Sequence, residues 1–308
     1  MKLIIQFSQI LYKEVIELKL MKIKLLTDAS CLLPKEMMEK ENIGFFESIL
    51  IIDEKDHREL TELNFEDFVN SLHDLDPYPT SSQATPEDTL NILKKTIDEG
   101  YEEALYLGIT PKISSQLNVV RLASKTVKKQ LKVHIYPTEL TVGSQGAMVY
   151  NTLKLLKKGK SAEEIMEYLD SIKHKIYTIG TTVDIKTLFK TGKVRRGSIK
   201  GIMVSLLKMK PIAHCTVEDG FIGYGAGTSY KSALKKMIVE IENRTDSDKE
   251  YNLFMADALN KEFAEVYAEE IKKVRKIKEV FYWNMPPTMA LTAGKWAVTA
   301  TIAPVLED

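Results

Sequence analysis

The chain has 308 residues with 43 basic and 43 acidic side chains, a formal net charge of zero, which is length enough for roughly two domains of about 150 residues. Balanced charge excludes the basic surface that non-specific nucleic-acid or membrane-surface binding needs, and 44% hydrophobic with 28% charged residues excludes a disordered chain. Two isolated cysteines, Cys31 and Cys215, exclude a disulfide scaffold, and the five histidines lack HxH or HxxxH spacing, so neither a disulfide framework nor a metal cofactor is expected.

In residues 1–20 the apolar start is interrupted by Gln6, Ser8 and Gln9, then by Lys13, Glu14 and Glu17. That is too short and too broken for a secretory signal. This stretch reads as an N-terminal extension, with the first strand following over residues 23–26. No segment reaches the ~18 apolar residues of a membrane span; a cytoplasmic protein without stable membrane insertion is expected. Residues 49–52 form a second strand-length apolar run. Thr85-Pro86-Glu87-Asp88 then opens a helix: Thr85 caps, Pro86 takes the first turn, and the acids favour the positive end of the helix. Leu90, Leu93 and Ile97 give it an apolar stripe, and Gly100 stops it.

The rhythm continues with a strand over 104–107, a helix over 117–129, a strand over 133–136 and a helix over 146–157. Ser161-Ala162-Glu163-Glu164 has the capping-box pattern and starts a helix running to about residue 172. Strands separated by helices predict a mainly parallel sheet covered on both faces. After a strand over 176–179 the pattern changes. Residues 211–217, the turn Glu218-Asp219-Gly220 and residues 221–222 predict an antiparallel hairpin, followed by helices over 230–243 and 261–273 and a strand over 279–283. The expected fold is an α/β N-terminal three-layer domain over residues 21–170 and an α+β C-terminal domain over 171–308.

A short echo marks three places: Ser81-Ser82-Gln83, Ser114-Ser115-Gln116 and Ser144-Gln145-Gly146, each read as preceding a helix. Serines before helices are ordinary caps. Gathered at the carboxyl ends of parallel strands, their hydroxyls and the free N–H groups would equally suit an anion. Asp28, at the end of the first strand, suits either a ligand-side carboxylate or an acceptor that fixes its own loop. Gly223-Tyr224-Gly225-Ala226-Gly227 imitates a nucleotide loop but follows a hairpin, and Gly192-Lys193-Val194-Arg195-Arg196-Gly197-Ser198 lacks the Lys of a phosphate loop. His134 and His214 fall in strands and read as core histidines.

Taken in order, these segments resemble a known family. Thr27-Asp28-Ala29-Ser30 and Pro79-Thr80-Ser81-Ser82-Gln83-Ala84-Thr85-Pro86 resemble the TDS and TSQPSP segments of the DegV family of fatty-acid-binding proteins, in a diverged form. Thr110-Pro111-Lys112-Ile113-Ser114-Ser115 resembles its SSKLSG segment, and Ser205-Leu206-Leu207-Lys208-Met209-Lys210-Pro211-Ile212 with Asp219-Gly220 resembles its LL-x-IKPI…DG passage. The resemblance spans about residues 22–304.

It implies a carrier and not an enzyme: one long-chain fatty acid held in a buried tunnel, its carboxylate presented to a separate fatty-acid kinase. By the same resemblance Ser81 and Ser114 contact the carboxylate, with Ser82, Ser115, Asp28, Arg195 and Thr292 as further candidates at the mouth. Four departures stand out. Ser115 replaces a glycine, Pro137-Thr138 replaces an Asp-Ser pair, and the GGR segment reads Gly192-Lys193-Val194-Arg195, leaving Lys193 and Arg195 as alternatives for its basic residue. Thr292, in Thr292-Ala293-Gly294-Lys295-Trp296, stands where the family's HTGPG has His. These departures motivate an alternative, a binding module for another anionic amphiphile or a regulatory partner without kinase coupling. An enzyme with its own nucleotide site is a third reading, which the missing phosphate loop disfavours.

Overall fold

The structure, a computed structural model, describes residues 22–182, 187, 190 and 209–306. The N-terminal part is built on a four-stranded parallel sheet. Its strands are β1 (Ile23–Asp28), β2 (Gly44–Phe46), β6 (Glu103–Gly108) and β7 (Lys132–Pro137), in the order β2-β1-β6-β7. Every residue of β1 is buried, as a central strand covered on both faces requires. Helices α3 (Pro86–Asp98) and α4 (Gln116–Val127) cover one face, where Leu93, Leu117 and Val120 pack on Leu26, Ala104 and Tyr106. The other face is covered by α5 (Val142–Lys157) and α6 (Ala162–Ile172), which bring Val149, Leu153 and Ile165 onto Leu25, Leu105 and Leu107. These are the three layers that the alternating pattern predicts.

The helix-start signals act as read. Thr85 Oγ1 accepts from the Asp88 N–H at 3.0 Å, Pro86 occupies the first turn, and Ser161 and Glu164 cap each other's backbone. Beyond α3, Gly100 takes φ +88° and its N–H reaches the Ile97 carbonyl. A small antiparallel sheet lies beside the parallel one, formed by β3 (Ile49–Ile52), β4 (Lys55–Arg58) and β5 (Thr80–Ser82), in the order β4-β3-β5. Short helices α1 (Lys35–Lys40) and α2 (Phe65–Ser71) complete this half.

The C-terminal part is a six-stranded sheet. It contains β8 (Tyr177–Thr181), β9 (Lys210–Thr216), β10 (Gly220–Gly227), β11 (Glu250–Asp257), β12 (Lys276–Asn284) and β13 (Val298–Pro304), in the order β10-β9-β8-β13-β11-β12. All its pairings are antiparallel except β11 with β12. Helices α7 (Tyr230–Arg244) and α8 (Lys261–Val274) cover one face, packing Met237, Ile241, Tyr267 and Ile271 on Ile179, Leu253 and Ala300. A seven-residue helix, α9 (Pro287–Ala293), reaches back to the N-terminal half.

Helix α5 joins the halves. Its residues from Val142 through Leu153 are all buried, which fits a helix packed on both sides and not an amphipathic surface helix. On one side Gly143 lies so close to β13 that a Cβ would stand 2.1 Å from Thr301 Oγ1; on the other, Gly146 meets the Cys31 carbonyl. Ser144 Oγ and Thr178 Oγ1 are 2.6 Å apart, tying α5 to β8. The expected start of this helix at Gly146 is therefore corrected to Val142. Ser144-Gln145-Gly146 is no pre-helix loop, because the helix forms one turn earlier, where burial demands paired backbone groups.

Candidate functional site

Neighbouring strands β1 and β6 are the point of the parallel sheet from which the chain departs in opposite directions, to β2 on one side and to β7 on the other. Such a switch point opens a crevice outside the carboxyl ends of the strands. A cavity of about 480 Å³ lies there, lined by Asp28 from the end of β1 and Ile109 just after β6.

Two serine segments reach this cavity from different elements. Ser81 and Ser82 come from β5 and are exposed; Ser81 pairs with Leu50 in the small sheet. They therefore lie on an edge strand, and not in the simple pre-helix loop that the sequence suggests. Ser114 and Ser115 come from the turn before α4. Their hydroxyls are not equivalent. Ser115 Oγ donates to Gln83 Oε1 at 2.7 Å, bracing one serine segment against the other. Ser114 Oγ accepts from the Gln116 N–H at 3.2 Å, which leaves its own O–H to donate elsewhere. No hydrogen bond involves the hydroxyl of Ser81 or Ser82 among the described residues. Three hydroxyl donors are thus available along one side of the cavity.

Asp28 has its acceptor capacity taken. Its carboxylate receives the Ile109 N–H at 2.8 Å, the Tyr106 hydroxyl at 3.0 Å, the Gln145 amide at 3.1 Å and the Ser30 hydroxyl. Burial pushes its carboxyl above the usual carboxylate range, against the lowering effect of these four donors. Of the two roles open for Asp28, the contacts match the loop-fixing acceptor, for it locks the ends of β1 and β6 and the first turn of α5 together. Gln145, buried in the first turn of α5, also accepts from the Ser30 hydroxyl and donates to the Leu107 carbonyl.

The opposite wall comes from the C-terminal half. Thr288, Met289 and Thr292 of α9 and Phe221 of β10 line the cavity. Thr292 Oγ1 donates to the Thr288 carbonyl at 3.2 Å. Two ties hold α9 in place: buried Glu59 accepts from the Thr288 N–H at 3.0 Å and from the Ser48 N–H at 3.1 Å, and the Tyr78 hydroxyl donates to the Leu291 carbonyl at 2.9 Å. Burial raises the Glu59 carboxyl as well.

Ser81, Ser82, Ser114, Ser115, Asp28 and Thr292 thus line a single cavity. Arg195, with Lys193 and the rest of Gly192–Ser198, lies outside the described residues, as does Ser205–Lys208. The glycine-rich Gly223–Gly227 lies within edge strand β10, around a register shift between Gly223 and Gly225, so it forms no loop about a phosphate. Thr138 donates to the Gly108 carbonyl at 2.8 Å and is fully buried. His134 pairs with Glu103 at 2.8 Å and His214 with the Tyr177 hydroxyl at 3.1 Å, both away from the cavity. Among the described residues no group of His, Cys, Asp and Glu is arranged to hold a metal ion, and no helix is long and apolar enough to cross a membrane. Phe221, Thr288 and Met289 carry no local motif, and only tertiary packing brings them to the serines.

Comparison with known proteins agrees with this architecture. The profile of the family described as "Uncharacterised protein, DegV family" matches residues 22–305. A DegV domain-containing protein of Listeria monocytogenes is 28% identical over 280 residues, 90% of this chain and 96% of the relative. A solved fatty acid binding DegV family protein from Streptococcus agalactiae is 25% identical, with a TM-score of 0.78 over 93% of this chain and 100% of that one. A solved DegV lipid binding protein from Thermotoga maritima superposes with a TM-score of 0.82 at 21% identity, over 94% of this chain and 100% of that one.

Proposed function

The chain belongs to the DegV family, and we propose on that footing that it is a cytoplasmic carrier, not an enzyme, which binds one long-chain fatty acid. The carboxylate sits between the two serine segments, the acyl chain extends into a buried apolar tunnel, and the head group is presented to a fatty-acid kinase. The observation that carries this reading is the convergence of Ser81 and Ser82 with Ser114 on one cavity at the switch point of the parallel sheet. A carboxylate withdrawn from water needs replacement donors, and charge-assisted hydrogen bonds from the serine hydroxyls supply them. Phe46, Ile109, Phe221 and Met289 give the same cavity apolar walls, and removing an acyl chain from water gains about 0.8 kcal/mol per CH₂. Two of the solved relatives are described as lipid or fatty acid binding.

Kinase presentation is a separable part of the reading. Thr292 stands at the cavity in place of the histidine that the family resemblance leads one to expect. A threonine offers a hydroxyl but no group that titrates near neutral pH, so binding can persist while phosphorylation is lost. Mass spectrometry of a lipid extract from the purified protein should identify a fatty acid, and a delipidated sample should rebind one from a panel. A reproducibly empty protein that rebinds none would sink the carrier reading. A kinase-coupled assay decides the second part: binding with no acyl phosphate formed would favour a module without kinase coupling.

A further inference from the structure

Lys112 lies between β6 and α4, two residues before Ser114. It is the one cation among the described residues lining the cavity, where Asp28 and Glu47 are the acids. Both carboxylates are already supplied with donors. Asp28 has the four described above, and Glu47 accepts from the Leu60 N–H at 2.8 Å, the Thr61 N–H at 2.9 Å and the Thr61 hydroxyl at 3.0 Å. Neither is ion-paired with Lys112. The lysine Nζ instead donates to two main-chain carbonyls, of Val217 at 3.1 Å and Glu218 at 2.9 Å, in the turn joining β9 to β10. Its side chain crosses Gly220, where a Cβ would stand 3.5 Å from Lys112 Cδ. The next residue, Phe221, is itself a cavity wall.

An ammonium carries three N–H donors and a full positive charge. Two donors are engaged by neutral oxygens, so neither the third donor nor the charge has been matched to an anion. A third carboxylate entering beside Asp28 and Glu47 needs a counter-charge, since hydroxyls alone satisfy its hydrogen bonds without balancing it.

We propose that Lys112 is the head-group selector of this cavity. Its third N–H meets the ligand carboxylate while the other two hold the β9–β10 turn, so ionised acids are chosen over uncharged amphiphiles of the same chain length. This inference rests on the fatty-acid reading and deepens it by assigning charge selectivity to a residue outside the serine segments.

The test is titration of the delipidated full-length chain with hexadecanoic acid and with hexadecan-1-ol. Lys112 is exposed, so its replacement should leave the fold intact. Lys112→Gln is expected to weaken the acid by about tenfold or more, the size of a lost charge-assisted contact, and to leave the alcohol within about twofold. Lys112→Arg should restore most of the loss. Equal loss of both ligands would reduce Lys112 to a brace for the hairpin, and unchanged acid binding would remove it from recognition; either result overturns the selector role alone. Wild-type protein that binds neither ligand overturns the fatty-acid reading, and this inference with it.

Discussion

Ser81 and Ser114 face the cavity with donors to give, whereas Ser115 has spent its donor on Gln83. Removing a hydroxyl that meets a carboxylate should therefore cost more than removing the brace. Ser81→Ala and Ser114→Ala are each expected to weaken fatty-acid binding by about 1–2 kcal/mol. Ser115→Ala should act less on affinity, through looser coupling of the two segments. Calorimetric titration of the three variants checks the ranking, and a Ser115 effect exceeding both others would contradict it. A different residue sets an acid limit on the fold. His214 is buried in β9, its Nδ1 against the Tyr177 hydroxyl of β8 and its Nε2 3.5 Å from Asp219 of the turn. Tyr224 of β10 packs on its ring at 4.8 Å, and Glu240 and Arg244 of α7 complete the surroundings. Burial first, then the Arg244 charge, holds the imidazole below its ordinary value of 6.5, while Asp219 and Glu240 oppose this. The folded chain then binds fewer protons than the unfolded chain between the two pKa values, so stability from this group is present above about pH 6.5 and lost as pH falls toward the lower folded value. Melting curves from pH 8 to pH 5 should show His214→Gln losing less stability on acidification than wild type, by at most about 1.4 kcal/mol per pH unit. Equal acid sensitivity would exclude His214 as its source.

At the scale of elements, α5 acts as a spacer whose fit is set by Gly146. A Cβ there would stand 2.3 Å from the Cys31 carbonyl oxygen, a backbone atom that can yield only if the turn between β1 and α1 moves. Gly146→Ala should cost about 1–3 kcal/mol by overpacking. Because that turn carries Ser30, which Gln145 holds, the substitution should also weaken ligand binding. Gly223→Ala is the control: a Cβ there meets nothing within 4 Å, so its effect should stay within about 0.5 kcal/mol. Thermal melts and titration of both variants would expose an error if Gly223→Ala were the more damaging. The same elements show why part of the fold can be read from sequence. α3 and α6 carry local signals at their N-terminal ends, Thr85-Pro86 and the Ser161/Glu164 capping box, from which their positions follow. β11 and β13 have no such signal. EYNLFMAD has no regular alternation, and in VTATIAP the threonines that alternate with Val298, Ala300 and Ile302 are buried as well, so neither shows the apolar-in, polar-out pattern of a half-buried strand. The polar strand β5 is invisible for the opposite reason, because all three of its residues are exposed and it is held only by pairing with β3. For the site, the repeated Ser-Gln pattern and the place of Asp28 after the first strand draw attention to these residues, but their local sequence reads equally as caps and a loop acceptor, and only the family resemblance assigns Ser81 and Ser114 to a carboxylate. Of the far wall the resemblance names Thr292 alone; Phe221, Thr288 and Met289 carry no signal, since they meet the serines only after the two sheets dock.

That docking governs how the whole molecule responds to its ligand. One apolar cluster runs from Leu25 and Leu107 of the parallel sheet through Val149 of α5 to Phe254 and Trp283 of the second sheet and Ala290 of α9. Glu59, Tyr78 and Lys112 add polar ties across the same junction. The cavity is walled by both halves, so a ligand seated in it contacts both, and its binding free energy is spent against separating them. Ligand held by the native state alone stabilises by about 2.7 kcal/mol at a hundredfold excess over Kd. For a chain of this size that corresponds to roughly 5 °C in Tm. Delipidated protein should accordingly melt about that much lower than the loaded form, in one transition, and added fatty acid should raise the Tm with the logarithm of its concentration. Scanning calorimetry distinguishes the alternatives. Two separate transitions, of which fatty acid moves only one, would mean that the halves unfold independently and that the ligand belongs to one of them.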